Sequence, residues 1–238
     1  MAWFNEGLCI LPFFLVVWSS STFVIPYIIA VLLGHVDVIF PYISDTGAVP
    51  PESCIFGLMT VITAFAALAT MYAKYKFMER LNEKTGGVPR KLNQAALGLG
   101  IISCFGMGIV ATFQETEVRA VHDLGAFLFF FSGVLYTILQ SIISFRAYPY
   151  GTSFAVCVIR VVIATVASVA VFPTIICAAF VSETKLHWTS EDKDYTLHLA
   201  SAVSEWTVAF SFVFFFFTYL QEFKQFTLTV KADVVEYI

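Results

Sequence analysis

The chain has 238 residues, 59% of them hydrophobic and only 13% charged, about half the roughly 25% charged share of a water-soluble domain. A soluble fold of this size needs polar residues to cover its surface, yet here the apolar residues run in blocks and include 26 Phe. A net charge of −4, with no basic helical face away from those blocks, excludes a nucleic-acid binder.

Six stretches are uncharged or nearly so: 8–33, 53–73, 93–114, 121–145, 156–181 and 197–220. Each reaches the roughly 20 residues that an α-helix needs to cross about 30 Å of hydrocarbon. The expected fold is all-α, a polytopic bundle forming a single six-helix transmembrane domain over 1–238 with no soluble domain. The first block is too long for the h-region of a signal peptide, and no Lys or Arg precedes it, so it reads as a retained span. Three prolines between Gly34 and Pro51, the Gly86-Gly87-Val88-Pro89 run and Tyr148-Pro149-Tyr150-Gly151 break the chain between spans. Pro12, Pro26 and Pro173 fall inside spans one and five as packing kinks.

Lys and Arg distribute unevenly over alternate connections. The loop after span two carries Lys74, Lys76, Arg80, Lys84, Arg90 and Lys91; the loop after span four Arg146 and Arg160; the tail Lys224 and Lys231. The other side holds only Arg119, Lys185 and Lys193, against nine Asp and Glu, a formal charge of −6. Positive residues near span ends stay on the cytoplasmic side, so both termini are expected in the cytoplasm, facing away from an acidic lumenal or extracellular surface. The six basic residues after span two either enforce that topology or touch anionic lipids of the cytoplasmic leaflet, at up to about 1 kcal/mol each.

Five Cys lie within spans or at their ends, outside any disulfide framework. Cys157, at the cytoplasmic boundary, is positioned for palmitoylation. The chain holds no Asn-x-Ser/Thr sequon, and Tyr75-Lys76-Phe77-Met78 has the form of a tyrosine-based sorting tetrad, with Tyr75 and Met78 as its reading positions.

An ionisable residue inside a span costs about 2.5–3.5 kcal/mol and normally faces a partner or an aqueous cavity. Glu205 in span six and Asp123 at the start of span four meet that description, with His122 beside the latter and His198 two turns above Glu205. These four can form a lumenal polar site that binds a divalent metal, relays a proton or grips a cationic or hydroxyl-bearing lipid headgroup, or a hydrogen-bonded knot that fixes helix register. Glycines at 98, 100, 106 and 108 allow span three to approach a neighbour closely.

The first lumenal loop is the most distinctive segment. Pro41, Tyr42, Ser44, Asp45, Gly47 and Glu52, with Pro50 and Pro51, read as a structured cap in which proline restricts φ and Ser and Asp close turns. Asp45-Thr46-Gly47 matches the aspartic-protease triplet, but that chemistry needs two such carboxylates and there is no second triplet. With no nucleophile elbow, Walker sequence or metalloprotease helix, the expected catalytic residues, metal ligands and cofactors are none.

Trp18-Ser19-Ser20, Pro41 to Gly47 with Pro50-Pro51-Glu52, Cys104 to Ala111 ending in Phe113-Gln114-Glu115, Leu139 to Ser144, and Lys185 to Trp188 with Glu205 to Phe210 together resemble the DNA-damage-regulated autophagy modulator (DRAM) family. The resemblance covers nearly the whole chain, and the length and short tail are similar to the founding member. It implies a multi-pass lysosomal membrane protein, induced in the DNA damage response, that promotes autophagy and contributes to p53-dependent apoptosis through lipid or protein contacts. The wider superfamily is similar to proteins that remodel GPI anchors or organise phosphoinositides. That leaves a lipid-remodelling enzyme or lipid transporter as the alternative.

Overall fold

In a computed structural model, residues 7–225 and 227 are described. Six long helices account for most of them: α1 (Ile10–Leu33), α2 (Glu52–Thr85), α3 (Arg90–Thr112), α4 (Arg119–Ala147), α5 (Phe154–Phe180) and α6 (Tyr195–Phe217), with a short α7 (Leu220–Lys224) continuing the last. All six are long and apolar enough to cross a membrane, and no strand occurs among the described residues. Each packs against its chain neighbours, and α1 meets α6, so the helices form a closed ring. Met71, Cys104, Tyr136, Phe215 and Phe216 fill its interior. Outward stand Phe13, Phe65, Phe105, Val169, Phe172 and Phe214, all exposed, as lipid-facing residues must be.

We call the end bearing the 34–51, 113–118 and 181–194 connections the cap end, and the other the terminal end. The spans predicted from hydropathy coincide with the helices to within a few residues, except that α2 continues to Thr85. At 1.5 Å per residue its 34 residues extend about 50 Å, well past the hydrocarbon. The basic segment expected as a loop is therefore a protruding helix, laced by Lys76–Glu79 and Arg80–Glu83 pairs at 2.8 and 2.9 Å and ended by Gly86 at φ 72°.

Close approach is real, but only some of the glycines produce it. A Cβ on Gly106 would lie 2.5 Å from the Phe129 nitrogen and 2.6 Å from the Gly125 carbonyl oxygen, so α3 and α4 touch backbone to backbone there. Gly100 abuts Met71, whereas Gly98 and Gly108 face open space.

Four further expectations are corrected at the terminal end. Lys74 is 1% exposed and paired with Glu222, and so cannot reach a lipid headgroup. Arg160, read as a loop charge, is fully buried in α5, and Cys157, one turn before it, is equally enclosed, so the palmitoylation expectation fails for want of access. The sorting tetrad lies within α2 with Met78 1% exposed, so an adaptor cannot read it in extended form. Lys231 lies outside the described residues.

Candidate functional site

The cap folds inward rather than over the bundle. Residues 41–48 are all buried, with a 3-10 turn at Asp45–Gly47. Gly47 is required because a Cβ would collide with the Phe56 ring on α2. The Tyr42 amide donates to Asp45 Oδ2 at 3.2 Å, the turn expected of Asp45, whereas the second turn is closed by Thr46, whose hydroxyl donates to the Ile43 carbonyl at 2.6 Å, and not by Ser44. Trp206 Nε1 donates to the Pro41 carbonyl at 2.9 Å, tying the loop to α6. Glu52, wholly buried at the start of α2, pairs with His35 Nδ1 at 2.5 Å, a favourable place for an anion.

Glu205 reaches the same loop from α6: its Oε2 accepts the Ile43 amide at 2.9 Å across 162 residues. Ser44 Oγ donates to Glu115 Oε2 at 2.9 Å. His122, buried on α4, donates from Nδ1 to the Phe113 carbonyl at 2.7 Å, and its Nε2 stands 4.0 Å from Glu115 Oε2. Burial, and then the neighbouring Glu115 and Glu205, raise the Asp45 carboxyl well above the usual carboxylate range. Burial likewise raises the Tyr42 phenol.

Between α4 and α5 lies a cavity of about 170 Å³, and Glu205, His122, Glu115, Tyr42, Ser44 and Asp123 supply its polar lining. Phe127 on α4 and Ala179 on α5, both exposed, also line it, with Phe130 and Ile175 as apolar walls. Three of the four residues singled out for a polar site thus share one cavity. Asp123 stands at its exposed rim, 3.5 Å from Arg119 on the next turn. His198 is elsewhere: its ring stacks on Trp188 at 4.4 Å and meets the Tyr42 ring edge-on at 4.7 Å, so Tyr42 separates it from the cavity. The sequence reading missed Glu115, which it counted only as a loop charge; its place right after a span end was the available signal.

The sequence reading also missed a second polar centre, at the terminal end. The Arg160 guanidinium donates to Glu222 Oε1 (2.7 Å), Ser144 Oγ (2.7 Å), Thr218 Oγ1 (2.8 Å) and the Thr218 carbonyl (3.2 Å). Lys74 takes the other Glu222 oxygen, and the Tyr219 ring lies 4.7 Å from Arg160 and 5.1 Å from Lys74.

Residues 7–226 match the family described as Frag1/DRAM/Sfk1/Cwh43P N-terminal domain. The chain belongs to this family. It is 49% identical to the Homo sapiens DNA damage-regulated autophagy modulator protein 1, over 98% of both chains. With the human protein 2 it shares 42%, over 98% of this chain and 91% of that one. At greater distance, a Danio rerio protein named Modulator of macroautophagy TMEM150B is 31% identical over 94% of this chain and 90% of its own. No solved structure matches. The higher identity to protein 1 than to protein 2 agrees with the family resemblance read from the cap and span motifs. Of those motifs, the cap loop, the connection at Glu115 and α6 at Glu205 contribute residues to the cavity lining, whereas Trp18–Ser20 on α1 and Leu139–Ser144 on α4 do not.

Proposed function

We propose that this multi-pass membrane protein modulates autophagy from the lysosomal membrane, with both termini in the cytoplasm, and does so without catalysing a reaction. The names of its relatives support the autophagy role. The family resemblance extends it to the lysosome and to p53-dependent apoptosis. The topology is supported by charge: with Lys74 and Arg160 buried, Lys76, Arg80, Lys84, Arg90, Lys91, Arg146 and Lys224 still face outward at the terminal end, against three basic residues at the cap end. Exposed Arg80, Lys84, Arg90 and Lys91 are the residues of the basic segment still placed to touch anionic lipids.

The observation that carries a lipid-directed mechanism is the cap-end cavity, lined by Glu115, His122 and Glu205 together with apolar residues of the membrane-length helices α4 and α5. Cells lacking the gene, scored for turnover of a lipidated autophagosome marker, should regain flux when the full chain is restored. Unchanged flux in both states would overturn the reading. Tags at the two ends should be cleaved by protease added to intact lysosomes, and protection of either tag would reverse the topology.

A lipid-remodelling enzyme or transporter is the second reading, favoured by His122 and the carboxylates of Glu115, Asp123 and Glu205 lining one cavity. It requires product formation or flipping by the reconstituted protein that Glu205→Gln and His122→Ala abolish.

A further inference from the structure

All four histidines of the chain stand at the cap end: His35 and His187 in the 34–51 and 181–194 connections, His122 and His198 in the first turns of α4 and α6. Three of them face a carboxylate. His35 meets Glu52 at 2.5 Å, His187 meets Asp37 at 3.0 Å and His122 meets Glu115 at 4.0 Å. Imidazole is the side chain whose ordinary charge change falls between about pH 5 and 8. The surface pairs of the terminal end, Lys76–Glu79 and Arg80–Glu83, use no imidazole.

The three pairs bear on one segment. Asp37 lies in the 34–51 connection, and both hydrogen bonds that join it to the 181–194 connection end there, from His187 Nδ1 at 3.0 Å and from the Trp188 amide at 2.6 Å. His35, in the same connection, pairs with Glu52 of α2, a fully buried carboxylate whose second oxygen has no partner. Ser44, further along, donates to Glu115, the carboxylate that faces His122. A carbonyl can only accept, so His122 Nδ1 carries the proton it gives to Phe113. Its Nε2 then presents a lone pair to Glu115 Oε2 until this corner gains a second proton. A proton on each ring thus makes the contact charge-assisted and supplies Glu52 with a counter-charge.

The other charged groups around these rings are engaged elsewhere. Lys185 is held by Asp192 and Glu183 at 2.7 and 3.6 Å and lies over the Trp188 ring. Arg119 is turned to Asp123 and to the Val181 carbonyl. Glu205 accepts the Ile43 amide and Asp45 the Tyr42 amide. His198 stacks on Trp188 and meets Tyr42 edge-on, with Asp37 and Lys185 as the charges acting on it.

We propose that the cap is a pH-sensitive latch: acid on its side of the membrane protonates His35, His122 and His187 and fastens the 34–51 connection to its neighbours, and neutral pH loosens it. The sign follows from linkage, because a closed form that binds more protons than the open one is favoured as pH falls. Tyr42 and Ser44 of the fastened segment line the cap-end cavity, so the latch sets how firmly that wall is held. Only the compartment that sets it rests on the topology proposed above, in which the cap faces a lumen.

The test is hydrogen exchange of the full chain in phosphatidylcholine nanodiscs at pH 7 and pH 5, with rates corrected for intrinsic chemical exchange. Peptides covering 34–39 and 183–190, the latter with the Asp37-bonded Trp188 amide as direct reporter, should gain about fivefold protection in acid, the upper scale of one solvent-exposed ion pair. Peptides over 76–85 should not change. His35→Gln combined with His187→Gln, at half-buried and exposed positions, should leave the fold intact and remove most of the gain. His122→Gln should reduce protection of 113–118 in acid. Asp45→Asn removes the other group of this segment that retains a proton and should leave the gain at 183–190 in place. Equal protection at both pH values in the unaltered chain, or a full gain in the double Gln variant, overturns the proposal. Loss of the gain in Asp45→Asn assigns the response to Asp45 and overturns it as well. The tagged chain ends score topology separately: a gain with the cap on the cytoplasmic side keeps the latch and discards its lumenal setting, whereas no gain discards the latch in either topology.

Discussion

The two ends of the bundle handle buried charge in opposite ways. At the terminal end one carboxylate, Glu222, is held between two cations, Lys74 and Arg160, and the guanidinium is further bonded to Ser144 and Thr218. At the cap end Glu115 and Glu205 line a cavity with His122 and no Lys or Arg, and Asp45 is buried beside them. The first arrangement is closed on itself and joins α2, α4, α5 and α7. The second borders open volume. Charge closed on itself acts as a structural lock, whereas the cap-end carboxylates border a cavity.

Breaking the lock should have the largest effect. Arg160→Met leaves Glu222 with a single partner in an apolar interior, and removal of one member of a buried ionic cluster costs about 3–5 kcal/mol. The detergent-solubilised protein should lose about 10 °C in Tm, at roughly 2–4 °C per kcal/mol for a chain of this size. Replacing Lys74, Arg160 and Glu222 together with apolar residues of similar volume should recover most of that loss. A triple variant less stable than Arg160→Met would show that the lock depends on more than charge balance.

Next in size is the helix contact beside the cap-end cavity. Gly106→Leu drives a side chain into the α4 backbone at Gly125 and Phe129 and should cost about 1–3 kcal/mol. Gly108→Ala, facing open space, should be neutral or stabilising by up to about 1 kcal/mol. Equal effects in thermal melts would refute the backbone contact.

Removing charge at the cap end should have the opposite sign from removing it at the terminal end. Glu205→Gln keeps an oxygen for the Ile43 amide while discarding a buried ionisable group, so Tm should hold or rise by a few degrees. A fall comparable to that of Arg160→Met would make the two ends alike.

The smallest effect expected is that of pH. Asp45 carries a raised folded-state pKa, from burial and from Glu115 and Glu205. The folded chain therefore retains a proton that the unfolded chain releases, and stability falls as pH rises from the unfolded carboxylate pKa through the folded one. Other groups at this cluster are Tyr42, His122 on α4 and the Arg119–Asp123 pair at the rim. Acidification from pH 7 to pH 5 should raise Tm, and Asp45→Asn should flatten that dependence. An unchanged slope in Asp45→Asn would move the titration to another member of the cluster.

How much of this was legible follows from the range of the interactions. His122, Glu205 and the cap residues were identifiable because an ionisable group in an apolar block, or a Pro-rich loop between two blocks, departs from its immediate surroundings. His198 lay on the correct face of α6 but was claimed by Trp188 and Tyr42, a competition that spacing along one helix does not contain. Arg160 and Lys74 were read as boundary charges because each stands near the edge of an apolar block. Their burial depends on Glu222, 62 and 148 residues away.

The number of crossings and the separation of charge between the two faces were settled by the sequence alone, since hydrophobic length is a local property and every backbone polar group in a lipid-spanning helix is satisfied within that helix. Only the tertiary structure decided which glycine touches a backbone, which cations are enclosed, and that carboxylates from a connection and from two helices line one cavity. Those outcomes depend on the ring order and rotation of the helices, which packing sets after each has formed.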